Sequence, residues 1–222
     1  MYITKMSIRK ENRYETEEEN VMLGKTHMVI GMAATMAVTQ PETIPEMILA
    51  VGVGALGALI SDIDVGTSDS HRDADKITVI SIAVVLAALA ADYFFHAGII
   101  DRVVRSSGYL RVIGGVLLFI GICAFGKEQP HRSFMHSFLA LILLCFAIGL
   151  VWKPMVLCFA VGFLSHLATD IFNRKKVRLL YPMEGGIALG LFHAHGAANQ
   201  VFFMAGCLAC AIEALLFVLR LF

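Results

Sequence analysis

The chain has 222 residues, 58% of them hydrophobic and 16% charged, with a mean hydropathy of +0.74. Charge falls well below the ~25% usual in soluble domains, which excludes a disordered chain and points to one integral membrane domain. Lys plus Arg (18) and Asp plus Glu (18) cancel, so no basic footprint for nucleic acid is present and none is expected as a partner.

In chain order, residues 1–24 form a polar tail around "ETEEEN", without the apolar stretch that a signal peptide needs. Seven apolar segments follow, at 27–40, 44–61, 77–97, 109–126, 134–152, 154–172 and 200–222. Several lie near the lower limit of the ~17–25 residues needed to span a bilayer, and the first is the weakest, a half-buried helix being its alternative. The expected fold is all-α: a polytopic membrane bundle of about six to seven apolar helices over residues 25–222, with the lipid bilayer as its partner. Gly52, Gly54 and Gly57 spell a dinucleotide fingerprint, but no strand precedes them. Small residues on an apolar helix instead predict close helix packing. The cysteines, Cys123, Cys145, Cys158, Cys207 and Cys210, all fall in apolar runs and read as small core residues.

The ionisable residues are not scattered. His27 opens the first segment, Asp62 and Asp64 close the second, His131, Arg132 and His136 lie in "HRSFMHS" at the entry to the fifth, and His166 and Asp170 lie in "SHLATD" at the exit of the sixth. With alternating spans, all of them fall at one membrane face. His166 and Asp170, four apart, share a helix face. Imidazole and carboxylate are the ligands of Zn²⁺, Mn²⁺ and Fe²⁺. A charge inside a membrane costs at least ~2.5–3.5 kcal/mol, which a bound cation offsets. The spacing therefore predicts a centre for one or two divalent ions, Zn²⁺ or Mn²⁺, with His27, Asp62, Asp64, His136, His166 and Asp170 as metal ligands.

Taken together, His27, the "DID" after an apolar run, "HRSFMHS", "SHLATD" and the "LLYP" stretch from Leu179 to Pro182 resemble the bacterial family of membrane-bound metal-dependent hydrolases typified by YdjM and YbcI. The resemblance covers about residues 25–185 and matches His27, Asp62, Asp64, His131, His136, His166 and Asp170. It implies a helical inner (plasma) membrane protein, multi-pass, with hydrolase activity. This chain departs from the family in having Ser61 where Pro usually precedes the D-x-D, and Met135 where Thr is frequent; neither change removes a ligand.

The expected function is hydrolysis of a phosphoester, or of a small-molecule or lipid-linked substrate, through metal-activated water at the cytoplasmic face. His131 and Arg132 are the expected catalytic residues, His131 (with His27) completing the metal shell or acting as general acid and Arg132 neutralising a phosphoryl oxygen. Lys175, Lys176 and Arg178 are placed to attract anionic headgroups. Most Lys and Arg outside the apolar segments lie on the same side as these residues, which orients that side to the cytoplasm. The competing reading is a divalent-cation or proton transporter, for which Asp92, His96 and the mid-segment Glu213 speak, and a third is a scaffold with a structural metal. His71, His193 and His195 read as residues of polar loops.

Overall fold

The computed structural model describes residues 24–64, 93, 98–191 and 197–221. Residues 1–23, the expected third apolar segment at 77–97 apart from Tyr93, and His71, Asp92, His96, His193 and His195 lie outside the described residues. Within them the chain folds into seven α-helices: α1 (Gly24–Thr39), α2 (Ile44–Ile60), α3 (Ile99–Ser107), α4 (Tyr109–Lys127), α5 (Phe138–Val151), α6 (Pro154–Ile171) and α7 (Ala197–Leu221). Short 3-10 turns follow α2 (Ser61–Asp64) and precede α5 (Phe134–His136). Four helices are long and apolar enough to cross a membrane, namely α2 with its 3-10 extension, α4, α6 and α7, and α5 is a shorter apolar helix. The all-α membrane bundle is therefore present.

Local chemistry sets the helix ends. Thr43 caps α2 through a reciprocal pair: its hydroxyl accepts the Glu46 N–H at 3.4 Å, and the Glu46 carboxylate accepts the Thr43 N–H at 3.2 Å. Pro154 opens α6, where a missing N–H costs nothing. The fifth apolar segment becomes helical only at Phe138, four residues later than its apolar run suggests. Ser137 is extended and accepts the Ala140 N–H at 3.2 Å, so the helix begins there, and His136 is left in the preceding turn. One helix was not anticipated. α3 is short and polar, with an exposed Asp101–Arg105 pair at 2.6 Å, and so gave no membrane signal.

The centre of the bundle is a trio of α1, α2 and α6. A Cβ added at Gly162 of α6 would run into the Gly54 carbonyl of α2, one at Gly57 into the Phe159 carbonyl, and one at Gly31 of α1 into Ala58. Gly57 and Gly162 thus serve backbone-to-backbone packing and Gly54 makes room for the Thr35 side chain of α1, as small residues in an apolar helix indicated. Phe159 and Phe163 of α6 and Val53 of α2 fill the space beside them. α4 packs on α5, with Gly115 against the Ala147 carbonyl, and α5 packs on α6. α7 joins from the α1 side: Gly206 lies against Val29, and a buried hydrogen bond of 2.8 Å runs from the Thr26 hydroxyl to Asn199. Cys123 and Cys158 are core residues as expected, whereas Cys207 is exposed on the flank of α7.

After α6 the chain folds back beneath the trio. Leu189, Leu191 and Gly190 donate their N–H groups to the carbonyls of Ile171, Phe172 and Asn173, satisfying acceptors that a helix end would otherwise leave bare. Val177 and Ile187 pair across this strap with bonds of 2.9 and 3.0 Å.

Candidate metal centre

Four chain segments bring their ionisable side chains to one end of the trio: the start of α1, the turn after α2, the turn before α5 and the end of α6. His27, His136, His166 and Asp170 are at most 1% exposed, Asp64 and Arg132 are 4% exposed, and Asp62 and His131 are partly open. Every residue expected at the site is therefore found in one cluster.

Four donor atoms face each other closely. His136 Nε2 lies 3.2 Å from His166 Nε2, 3.3 Å from Asp170 Oδ2 and 3.7 Å from Asp62 Oδ1. His166 Nε2 lies 3.6 Å from Asp62 Oδ1 and 3.7 Å from Asp170 Oδ2. Two ligands of a tetrahedral ion at ~2.0–2.1 Å are themselves ~3.3–3.4 Å apart, so these separations fit one small cation. Among the described residues, three overlapping groups could hold a metal ion: His27, His166 and Asp170; Asp62, His136 and His166; and Asp64, His131 and His136.

The surrounding hydrogen bonds fix which atoms face inward. His166 Nδ1 lies 2.7 Å from the Ala58 carbonyl, which can only accept, so Nδ1 carries the hydrogen and Nε2 presents its lone pair to the cluster. His27 Nδ1 lies 2.9 Å from the Thr169 hydroxyl, whose own hydrogen points to the Ser165 and His166 carbonyls. His27 therefore donates from Nδ1, and its buried Nε2 is without a hydrogen-bond partner. Such outer partners set the tautomer of histidines that bind metals.

The carboxylates are divided in the same way. Asp170 Oδ1 accepts from Arg132 Nη2 at 3.2 Å and Asn173 Nδ2 at 3.0 Å, which leaves Oδ2 turned to the imidazoles with no hydrogen bond. Asp62 and Asp64 share a 3-10 turn, where residues two apart diverge by about a third of a turn. Asp62 accordingly faces His136 and His166. Asp64 accepts from His131 Nδ1 at 2.8 Å and the Arg132 backbone N–H at 3.2 Å. That bond holds Arg132 in the left-handed region at φ 63°, a conformation that a non-glycine residue keeps only when its surroundings enforce it. Arg132 Nη1 donates to the Lys175 carbonyl at 2.8 Å, tying the strap to the site, and its Nε has no partner.

The charge balance of the cluster would suit a bound cation. Three carboxylates face one guanidinium. Burial opposes a proton on His136, but the surrounding carboxylates of Asp170, Asp62 and Asp64 outweigh it and hold its pKa well above the usual histidine value.

Sequence reasoning missed the residues that aim the ligands. Thr169 stands three residues after His166 on α6, and Asn173 three after Asp170 just beyond the end of that helix; that spacing was the available signal. The Ala58 carbonyl carries no signal of its own. Met135, the family departure, is fully buried, its sulfur filling the space left by Gly126. Glu213 lies half-buried on α7, outside these groups.

No curated protein and no solved structure matches the chain. The YdjM inner membrane protein family matches residues 22–221, which takes in every helix described above. With that match over nearly its whole length and four helices able to cross a membrane, the chain belongs to the YdjM family of inner membrane proteins.

Proposed function

We propose that this protein is a membrane-embedded metal-dependent hydrolase acting on a phosphoester, its site facing the cytoplasm. The observation that carries the reading is the set of four facing donors, Asp62 Oδ1, His136 Nε2, His166 Nε2 and Asp170 Oδ2, spaced 3.2–3.7 Å apart where measured between imidazole and its neighbours. These four residues would hold a Zn²⁺ or Mn²⁺ ion, with His27 beside Asp170 as a fifth donor. A divalent ion in such a site supplies Lewis acidity and lowers the pKa of water.

The chain's own residues have separate tasks. Asp64 orients His131 through Nδ1, which leaves the buried Nε2 of His131 as a base at the partly open edge of the cluster. That His131–Asp64 pair is suited to moving a proton to or from the reacting group. Asp64 is also a donor of the group with His131 and His136, the place for a second ion. Arg132 keeps Asp170 in position and offers Nε as a donor toward an anionic oxygen. Arg174, Lys176 and Arg178, exposed on the strap, add positive charge for an anionic substrate.

The transporter reading needs ionisable residues through the membrane depth. Among the described residues the clustered His and Asp side chains occupy one end of the trio, which favours catalysis.

The test combines metal content and turnover. Purified protein should carry about one or two transition-metal ions per chain, lost on Asp62→Ala, and should hydrolyse members of a phosphomonoester and phosphodiester panel in a chelator-sensitive way. Turnover of carboxyl esters alone would refute the phosphate assignment, and metal flux into liposomes without turnover would favour transport. Orientation is checked by labelling a cysteine placed at Glu128: reaction only from outside the cell would reverse the topology.

A further inference from the structure

α4 and α5, with Phe134 and Tyr181, line an open apolar groove of about 500 Å³. Its walls include Gly121 and Phe125 of α4, Leu139 and Leu143 of α5, and Phe134 and Tyr181 at one end. Resting on the phosphoester reading above, we propose that this groove holds the hydrocarbon chain of a phosphate-bearing lipid presented to the candidate metal centre.

Three observations specify that occupant. The end wall of the groove belongs to the segments that build the site. Phe134 forms that wall and belongs to the same 3-10 turn as His136, with ring contacts to Phe125 at 4.9 Å and Tyr181 at 5.6 Å. Tyr181 lies on the strap whose Lys175 carbonyl and Arg178 N–H bond the side chain and backbone of Arg132. Two basic side chains, with the acidic Glu128 beside one of them, lie near that end in the chain. Lys127 is two residues beyond Phe125, and Arg178 is three before Tyr181, and both are exposed. The groove also runs lengthwise along a membrane-crossing helix: Leu117 to Phe125 covers ~12 Å of α4. In a bilayer an apolar groove gains little from hydrophobicity, because lipid tails are equally apolar. The groove therefore selects by shape and position, and attraction comes from the basic end acting on an anionic headgroup.

Gly121 makes the proposal testable without disturbing the fold. A Cβ there meets nothing within 4 Å, so Gly121→Leu projects into the groove. Gly114, two turns earlier on the same helix, is equally open but does not line it, so Gly114→Leu is the matched control. The probe is hexadecyl phosphate with a photoactivatable diazirine in its chain, cross-linked to the full-length protein in phosphatidylcholine nanodiscs. Label should fall on peptides containing 117–125 and 139–143 and be competed by unlabelled hexadecyl phosphate. The corresponding alcohol probe should label them far less. Gly121→Leu should reduce labelling roughly tenfold, the scale of overpacking a fitted apolar site, and Gly114→Leu should leave it unchanged. Label spread evenly over α4, α5 and α7, or unaffected by Gly121→Leu, identifies bulk lipid contact and overturns the proposal. Turnover separates the two readings. Equal hydrolysis of hexadecyl phosphate by wild type and Gly121→Leu removes the groove and keeps the hydrolase. Groove labelling as expected, with no turnover of hexadecyl or phenyl phosphate, keeps the groove and removes the hydrolase.

Discussion

Helices α2 and α6 of the central trio and the outer helices α4 and α7 are all apolar enough to cross a membrane, yet they solve different problems. Half of the α2 span and 44% of α6 are buried, against 17% of α4 and 11% of α7. In the trio, glycines let backbones touch, and the polar ends converge on one cluster. On the outer helices, Leu110, Leu117, Leu208 and Leu219 are 63–86% exposed, the pattern of surfaces turned to lipid. The difference teaches that hydrophobicity places a helix in the bilayer but does not hold helices together there, since lipid contacts Leu as well as protein does. Close approach and buried polar bonds do the holding, and they concentrate where the candidate chemistry is.

The comparison breaks most visibly at the charged end of the trio. Replacing Arg132 with Met leaves Asp170 a buried charge without its guanidinium, a change that costs about 3–5 kcal/mol when a buried pair is opened. Thermal unfolding in detergent should show the loss, together with lower metal content; an unshifted midpoint would mean that the pair is not structural. Next comes the backbone contact. Gly162→Ala forces a methyl against the Gly54 carbonyl, which cannot swing aside as a side chain can. We expect about 1–3 kcal/mol of destabilisation, the usual range for overpacking, with more possible where backbone must move. Recovery of wild-type stability in this variant would show that α2 and α6 separate easily.

A subtler change keeps the fold and disturbs only the aim of a ligand. Thr169→Val removes the oxygen that holds His27 Nδ1, so Nε2 is no longer fixed toward Asp170. Metal affinity should fall by about 10–100-fold, the scale for losing an outer partner of a ligand, as read by competition with a chelating dye. Unchanged affinity would remove His27 from the ligand set. The smallest effect belongs to the outer helices. Gly114→Leu on α4 adds bulk into open space and should stay within about 0.5 kcal/mol of wild type, as surface substitutions do. A large loss there would reveal a packing partner on that flank.

Much of this was legible in the chain because each signal was local. Apolar runs gave α2, α4, α6 and α7 to within a few residues, since length and composition alone decide whether a helix suits a bilayer. Thr43 with Glu46, and Pro154, set helix starts through their own chemistry, a chemistry that the apolar runs alone did not mark. α3 was illegible for the opposite reason, its polarity giving no membrane signal. The cluster residues were visible as costly charges at the ends of apolar segments.

The sequence by itself determined that the chain is helical, that it belongs in a membrane, and which ionisable residues gather at one face. Those properties follow from transfer free energy and helical periodicity, which each segment expresses alone. Only the tertiary structure decided what the residues do to each other. It set Asp62 toward His136 and His166 but Asp64 toward His131 and Arg132, although the two are only two positions apart in the same turn. It also set the inward nitrogens of His27 and His166 through Thr169 and the Ala58 carbonyl, partners 142 and 108 residues away in the chain. Hydrogen bonds act over about 3 Å and in fixed directions. Their pairing exists only once α1, α2 and α6 have been drawn together at their glycines.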